Sequence, residues 1–592
     1  MLAIVLYCLI AAVLCYLVGT LVLVRLGAHQ PDRPADAALA ACWIGLAALA
    51  AALLVLAFVA PLTPLSGLLL AAALAALALA DPRVRERSRL TVRAVRLPHL
   101  VVAAVLVASV ALFSSIAPIF YDTAMYQYAE SQWLAAFGVV RGLALFQNRL
   151  GTISPWYALP APLDHGVFRA RMINAPMAIA LWFALLGIAA AMTRWAQGRE
   201  RPADRFMALA VGGWVLRMLI VQQPAIVPSP DLAWSVLMLL SVWAWLVERD
   251  AVGDGAVKEL STLPLLFAAA AAGVRFNALP AAGCAWLFYV YGGERKLRRA
   301  LVGAAIGAAF VLPEIVATFR TSGCPLFPTA LLCVDRPWAL GAQHAREYGA
   351  FVRWFARANE GRLDAIPPTP DGAGWAWWLP VWIRAHHFVI GAAIVTALIT
   401  AFSARSRRAH WRSIGLLGAA VLACIAVTFV VAPANRFLVP YVLIVPSAGM
   451  ALLSWPRRRP AVLRGGLAPY AVMAALAIIV FARSGFHPRG LFTPGIPFSD
   501  RTVSSEVVLP GRLRKPDSLY TARSGALSYY TPAPPPATYR PISLYNSMDA
   551  RCWDAPFPCT SQLAAPGVTL ASPARGLGAG FVKGSASGAT SP

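Results

Sequence analysis

The chain has 592 residues, of which 59% are hydrophobic and only 13% are charged. A soluble globular protein of this size needs far more charged surface, so the composition excludes that class and indicates a polytopic membrane protein. The formal net charge of +25 does not indicate nucleic-acid binding, because the basic residues are spread over many short segments instead of one module.

Several apolar runs reach about 20 residues, the length of a helix that spans a bilayer. The first run lacks a basic leading region and an A-x-A site, so we expect a retained helix instead of a signal peptide. Segment 263–292 is apolar but contains Arg275, Asn277 and Pro280, which predicts two short helices that meet near the outer face. The other predicted spans are 2–24, 37–60, 62–80, 99–118, 172–193, 206–222, 228–247, 300–318, 386–403, 413–432, 437–454 and 464–482.

Short basic segments orient these helices, because such loops mark the cytoplasmic side. The segments are 83–96, 294–299, 405–412 and 456–460. The predicted fold is an all-α polytopic membrane protein with about 14 transmembrane helices and both termini outside. A transmembrane domain, residues 1–483, is expected to carry outer segments 119–171 and 319–385. Residues 484–592 are rich in Pro, Ser and Gly, which predicts a small irregular extracytoplasmic tail.

Four of the nine cysteines lie in the predicted outer segments: Cys324, Cys333, Cys552 and Cys559. An oxidising compartment permits disulfides, and each neighbouring pair closes a short loop. The sequence therefore predicts two local bridges, with reduced thiols as the alternative. Neither pair has a second CxxC or a histidine cluster at zinc spacing, so no metal site is predicted there.

Two acidic residues lie directly at the predicted outer boundary of the membrane. Asp122 follows span 99–118, and Asp231 begins span 228–247. An ionised carboxylate beside hydrocarbon is costly unless it has partners or faces water, so both are candidate functional residues. The alternative is structural: Asp122 is also suited to cap the helix that follows, and Asp231 to stabilise the first turn of its own helix. The two roles are compatible.

Three arginines on the same predicted side are candidates for binding phosphate, because a guanidinium binds phosphate oxygens in a bidentate way. Arg320 follows one predicted span, Arg436 directly precedes another, and Arg149 lies in the first predicted outer segment. The alternative for each is an ordinary interfacial arginine whose side chain reaches towards lipid headgroups.

The stretches YDTAMYQYAESQWLAAFGVVRGLALFQNRLG, SPDL, FRTSGCPLFP with VDRPW, and CWDAPFPCT are scattered over almost the whole chain. In these stretches the chain resembles a family of largely uncharacterised bacterial polytopic membrane proteins. Its layout also resembles the GT-C superfamily of integral-membrane glycosyltransferases, with an acid after an early helix, an amphipathic juxtamembrane helix and a second outer acid. Two departures stand out: Asp122 is followed by Thr123 where that superfamily has paired acids, and three spans precede its helix instead of one.

The resemblance implies an inverting glycosyltransferase of the EC 2.4 class in the bacterial inner membrane, with its active site facing the periplasm. The donor would be a sugar on a polyprenyl phosphate, and the acceptor an envelope glycan, lipid or protein. The resemblance assigns the catalytic base to Asp122, and Asp231 would orient the acceptor or Asp122. Arg320 and Arg436, with Arg149 as a weaker candidate, would bind the lipid phosphate. The single acid argues against a divalent metal, and no other cofactor or nucleic acid is implied.

Two other classes of function fit the sequence. A polysaccharide polymerase or O-antigen-ligase-like enzyme would rely on outer arginines and a histidine, such as Arg353 and His387. A transporter or flippase of lipid-linked glycans would place charges deep within its spans, and Arg217 and Arg275 are the residues of this kind.

Overall fold

A computed structural model gives the architecture of most of the chain. It describes residues 1–28, 31–118, 120, 122–221, 227–252, 261–357, 375–405, 409–453, 508–516, 518–532, 551–561 and 563–584. Helices dominate these residues, and short strands occur only near the C-terminal end of the described part.

The helices are α1 Leu2–Arg25, α2 Pro34–Leu56, α3 Pro64–Ala80, α4 Pro82–Ala94, α5 Leu97–Ser114, α6 Tyr128–Phe137, α7 Leu143–Phe146, α8 Ala175–Gln197, α9 Pro202–Phe206, α10 Gly212–Val221, α11 Asp231–Val252, α12 Leu263–Val274, α13 Leu279–Tyr291, α14 Lys296–Ser322, α15 Ala342–Arg357, α16 Trp375–Ala385, α17 His387–Arg405, α18 Ala409–Val431 and α19 Asn435–Leu452. A π-helical turn, Thr123–Gln127, leads into α6. The strands are β1 Tyr520–Ser524, β2 Leu527–Thr531, β3 Val568–Leu570 and β4 Phe581–Lys583.

The chain is an integral membrane protein. In the described residues, nine helices are long and apolar enough to cross a bilayer, and α3 with α4 makes a tenth if this pair, bent by 90°, is one span. The expected count of about 14 is not reached in this part of the chain. Within the predicted span 206–222, the described residues 206–221 form helix with a π-turn at Met207–Val211 between α9 and α10. The predicted span 464–482 lies outside the described residues.

Close packing of small residues joins the first two helices. A Cβ atom at Gly19 would collide with the carbonyl oxygen of Ala41, and one at Gly45 with the carbonyl oxygen of Cys15. Only glycine lets the two backbones approach this closely, and such close approach is a main source of attraction between helices in lipid.

One end of the helix bundle is held by ion pairs among helices α2, α8 and α9. The buried carboxylate of Asp204 lies 2.6 Å from Arg33 and 2.6 Å from Arg194, and Arg194 also binds Asp36 at 2.8 Å. Asp122 lies at the other end, because it follows α5, whose N-terminal end adjoins α4 and the Arg25–Asp81 pair. We call the end with these ion pairs the opposite end, and the end with Asp122 the Asp122 end.

The apolar segment 263–292 is interrupted as predicted, by a short turn at Phe276–Ala278 between α12 and α13. The hydroxyl of Tyr441 in α19 donates a hydrogen bond to the carbonyl of Asn277 at 2.8 Å. The turn therefore has a fixed partner on another helix, and it places the preceding residue, Arg275, at the Asp122 end.

The C-terminal tail contains two short antiparallel pairs, β1 with β2 and β3 with β4, so its described part has more regular structure than its composition predicts. It packs against the first outer segment. The ring of Trp133 in α6 contacts the rings of Phe557 and Phe581, with centroids 4.5 and 5.7 Å apart. The backbone N–H of Phe581 also donates to the carbonyl of Arg141 at 3.0 Å.

Candidate active site at the Asp122 end of the bundle

Asp122 lies at the start of the π-helical turn Thr123–Gln127, but its side chain makes no capping hydrogen bond. Its backbone torsions are already helical, with φ −63° and ψ −29°, whereas a capping residue has an extended conformation. The hydroxyl of Thr123 donates to the side-chain oxygen of Gln127 at 2.9 Å within the same turn. The carboxylate of Asp122 is therefore directed to partners outside its own helix.

The first of these partners is Arg149. Its Nη1 donates to Oδ1 of Asp122 at 3.2 Å, and its guanidinium lies 5.3 Å from the ring centre of Tyr126. The segment before Arg149 is tied to the same turn, because Nε2 of Gln147 donates to the carbonyl of Met125 at 2.7 Å. Arg149 is thus positioned by the backbone of the turn that carries Asp122.

Asp231 is paired with an arginine that the sequence did not assign to a site. It is the first residue of α11, and its Oδ1 accepts hydrogen bonds from Nη1 of Arg275 and, at 3.4 Å, from Nε1 of Trp234. Arg275 immediately follows α12, and its guanidinium also lies 4.8 Å from the ring centre of Phe437. The break in segment 263–292 therefore places the guanidinium of Arg275 beside Asp231.

Arg436 lies between the two aspartates. Its Nη1 is 4.0 Å from Oδ2 of Asp122, and its Nε is 4.0 Å from Oδ2 of Asp231. It is the second residue of α19, a helix that begins at the Asp122 end. Residues that are 109 positions apart in the chain thus share one cation. We call Asp122, Arg149, Asp231, Arg275 and Arg436 the aspartate–arginine cluster.

The cluster has three guanidinium groups and two carboxylates, so it attracts an anion. Two tyrosines face these charges. Burial raises the pKa of Tyr126, and the Asp122 carboxylate raises it further. Burial likewise raises the pKa of Tyr348 in α15, which is close enough for Asp122 and Arg149 to affect it. Both phenols therefore stay protonated at neutral pH and are able to donate hydrogen bonds.

Two glutamates lie buried near the cluster, and sequence analysis did not select either of them. Glu130 in α6 accepts a hydrogen bond from the backbone N–H of Ser154 at 2.6 Å, and burial raises its pKa well above the ordinary value. Glu314 lies in α14, and its Oε2 is buried without a hydrogen-bond partner among the described residues. A glutamate within an apolar span is the sequence signal that identifies Glu314.

Arg320 is not part of the cluster. Its Nη1 donates to the carbonyl of Phe58 at 3.0 Å, and its side chain is exposed at the end of α14. Arg320 was a phosphate candidate because it lies at a helix end. Its guanidinium instead binds the loop between α2 and α3. Of the three predicted phosphate-binding arginines, the structure brings Arg149 and Arg436 to the aspartates.

The four cysteines of the predicted outer segments form two disulfides, Cys324–Cys333 and Cys552–Cys559. The second lies beside the cluster, since the backbone N–H of Trp553 donates to the carbonyl of Ala124 at 3.2 Å. In the described residues, no group of three or more His, Cys, Asp or Glu side chains is arranged to hold a metal ion. A guanidinium occupies the space between the two carboxylates.

A family model described as "Domain of unknown function (DUF8201)" matches residues 1–443, well over half of the chain. This range contains all five residues of the cluster and ends before the C-terminal tail. No curated protein and no solved structure matches the chain.

Proposed function

The chain belongs to the family described as a domain of unknown function (DUF8201), and we propose that it is an inverting membrane glycosyltransferase. It would transfer a sugar from a polyprenyl-phosphate donor to an acceptor hydroxyl on the periplasmic side of the bacterial inner membrane. The observation that carries the proposal is the position of Arg436, 4.0 Å from the carboxylates of both Asp122 and Asp231. Two acids and a phosphate-binding group then lie within one small volume at the end of the bundle.

The two aspartates differ in access, and this difference supports separate roles for them. The Asp122 side chain is 15% exposed and Asp231 only 5%. Asp231 is held by Arg275 and Trp234, so it acts as a positioning residue for Arg275 and Arg436. Asp122 is the more accessible carboxylate and is free of a capping hydrogen bond. It is the base, because a base must reach the hydroxyl group that it deprotonates.

Arg149 and Arg436 are the groups that bind the donor phosphate. Both lie against Asp122, at 3.2 and 4.0 Å, so an incoming phosphate between them would lie beside the base. Guanidinium groups bind phosphate oxygens strongly and in a fixed geometry, which orients the bond between sugar and phosphate. In this arrangement Arg436 keeps the role expected for it, and Arg149, the weaker candidate in the sequence, takes the place of Arg320.

The reaction follows from these positions. Asp122 takes the proton from the acceptor hydroxyl, and the acceptor oxygen forms a bond to the anomeric carbon of the sugar. The bond between that carbon and the phosphate oxygen breaks, and its electron pair leaves with the polyprenyl phosphate. Arg149 and Arg436 stabilise the negative charge that develops on the leaving group. Attack opposite the leaving group inverts the configuration at the anomeric carbon.

The test compares wild type with Asp122→Asn and Asp231→Asn in membranes of a strain that lacks the gene. Asp335→Asn is the matched control, because Asp335 is an exposed acid in the second predicted outer segment and does not belong to the cluster. Mass spectrometry of surface glycans, pilins and lipid A then identifies the transferred sugar, with protein amounts matched by immunoblot.

We expect one sugar mass to be absent in the null strain and in Asp122→Asn, reduced in Asp231→Asn, and present in the control. The glycan mass that disappears identifies both the transferred sugar and its acceptor. Full sugar transfer by a well-expressed Asp122→Asn variant would overturn the assigned base and favour the polymerase–ligase or transporter class.

A further inference from the structure

Helix α4 at the opposite end of the bundle is unusually basic. It is bent by 90° from α3, and residues 82–96 contain six arginines and one glutamate. Two apolar side chains on it are also exposed, Leu90 by 53% and Val92 by 72%. Arginines and exposed apolar groups on one short helix are typical of a helix at the boundary between membrane and water.

Specific contacts hold α4 against α1. Asp81 caps α4 by accepting the backbone N–H of Arg83 at 2.9 Å, and its other oxygen binds Arg25 at 3.0 Å. Further along α4, Thr91 and the hydroxyl of Tyr16 share a hydrogen bond at 2.8 Å. The two helices are therefore fixed to each other at two points, and the space between them has a defined shape.

A cleft of about 650 Å³ lies between α4 and the end of α1. One wall is apolar and the other is basic. The lining residues are Leu23, Val24, Gly27 and Ala28 from α1 and the turn after it, and Pro82, Arg83, Glu86, Arg87 and Leu90 from α4. Arg83 and Arg87 are four positions apart, so they lie on the same face of the helix.

A cleft with one apolar wall and one basic wall fits an amphipathic ligand with an anionic group. Two guanidinium groups on one helix face match a phosphate diester, and the apolar wall matches the glycerol and the first methylene groups of an acyl chain. Glu86 offsets one positive charge within the cleft, but the arginines around it keep this region positive, which favours a lipid with a net negative headgroup.

We propose that this cleft binds the headgroup of an anionic phospholipid from the membrane leaflet at this end of the bundle. Arg83 and Arg87 bind its phosphate, and Leu23, Val24 and Leu90 contact its glycerol and acyl chains. Charge complementarity identifies the lipid as the occupant. The site is separate from the aspartate–arginine cluster and does not depend on the proposed glycosyl transfer.

Native mass spectrometry of the full chain in a mild detergent tests the site, with phosphatidylglycerol, phosphatidylethanolamine and phosphatidylcholine as probes. The test variant is Arg83→Gln with Arg87→Gln. The matched control is Arg89→Gln with Arg93→Gln, which removes the same charge from the same helix at positions that do not line the cleft. We expect about tenfold weaker phosphatidylglycerol binding for the test variant, and at most a twofold change for the control.

Leu90→Trp is a second variant that fills the cleft without changing its charge, and it should also weaken binding. Equal losses of phosphatidylglycerol binding in the test variant and the control would show that the lipid is attracted by the overall charge of α4, and would overturn the site. Equal binding of phosphatidylglycerol and phosphatidylethanolamine by wild type would overturn the preference for an anionic headgroup.

Discussion

Arg436 connects two parts of the chain, because its guanidinium lies near both aspartates. At 4.0 Å, a pair of opposite unit charges near a protein surface interacts with roughly 4 kcal/mol before desolvation is subtracted. Arg436 has two such partners, and its side chain is only 20% exposed. Removing it would leave Asp122 with Arg149 and Asp231 with Arg275, so the pairs would persist separately. The specific role of Arg436 is to hold the two carboxylates at one site.

Arg436→Lys should therefore lower sugar transfer strongly while Arg320→Lys has a much smaller effect. Lysine keeps the positive charge but lacks the planar fork, so one charge-assisted hydrogen bond to phosphate is lost. Such a bond contributes about 1.5–3 kcal/mol, which corresponds to a rate loss on the order of tenfold to a hundredfold. The measurement is the initial rate of transfer in isolated membranes at equal protein amounts.

The comparison with Arg320→Lys is the control, because Arg320 also lies at a helix end but binds the carbonyl of Phe58. A larger loss in Arg320→Lys than in Arg436→Lys would contradict the proposed phosphate site.

Helix α15 is the element that secures the segment carrying Arg149. His344 in α15 and Asn148 form a hydrogen bond of 2.6 Å between Nε2 and Oδ1. Asn148 immediately precedes Arg149, so α15 restrains the guanidinium that contacts Asp122. The imidazole is mostly buried, and burial lowers the pKa of His344 to about 4; Lys583 lowers it further and Glu347 opposes the change.

This shift predicts how stability changes with pH. The unfolded chain binds a proton at His344 near pH 6.5, whereas the folded chain resists it down to about pH 4. The contribution of His344 to the free energy of unfolding is thus present above pH 6.5 and is lost as the pH falls towards 4. His344→Gln keeps a donor for Asn148 but does not titrate, so its unfolding midpoint should fall less between pH 7 and pH 4.5.

Thermal unfolding of both proteins in the same detergent measures this difference. Identical pH dependence in wild type and His344→Gln would show that the pKa of His344 is the same in the folded and unfolded chains, which would contradict the lowered pKa.

Sequence patterns predicted the elements well because hydropathy is local. The predicted span 2–24 corresponds to α1, Leu2–Arg25, and 172–193 to α8, Ala175–Gln197. The interruption of segment 263–292 was also predicted, because Arg275 and Pro280 disrupt an apolar run. Partners of charged groups were harder to predict, because Asp231 and Arg275 are 44 residues apart and no local pattern encodes their contact. An arginine within an apolar segment requires a partner, but the sequence does not identify it.

At the scale of the whole molecule, the described parts of the tail pack beside the site. Its composition indicated a loose appendage, yet its described parts contact several elements around Asp122. The N–H of Gly511 donates to the carbonyl of Ser115 at 2.7 Å, and that of Leu513 to Ala170 at 2.9 Å. The N–H of Trp553 donates to Ala124, two residues after Asp122. Long-range contacts of this kind depend on the folded membrane domain, so composition alone does not reveal them.

The disulfide loop Cys552–Cys559 should therefore restrain the turn that carries Asp122. A crosslink across so short a loop stabilises it by about 2–3 kcal/mol in the chain-entropy model. In Cys552→Ser with Cys559→Ser, we expect Trp553 to leave Ala124 more often and the turn Thr123–Gln127 to open more often. Hydrogen–deuterium exchange of peptides covering 122–128 measures this opening, and sugar transfer should fall with it.

The matched control is Cys324→Ser with Cys333→Ser, which removes a disulfide from the second predicted outer segment and should change exchange near 324–333 first. If both double variants exchange at residues 122–128 as wild type does, the tail rests on the site without positioning Asp122.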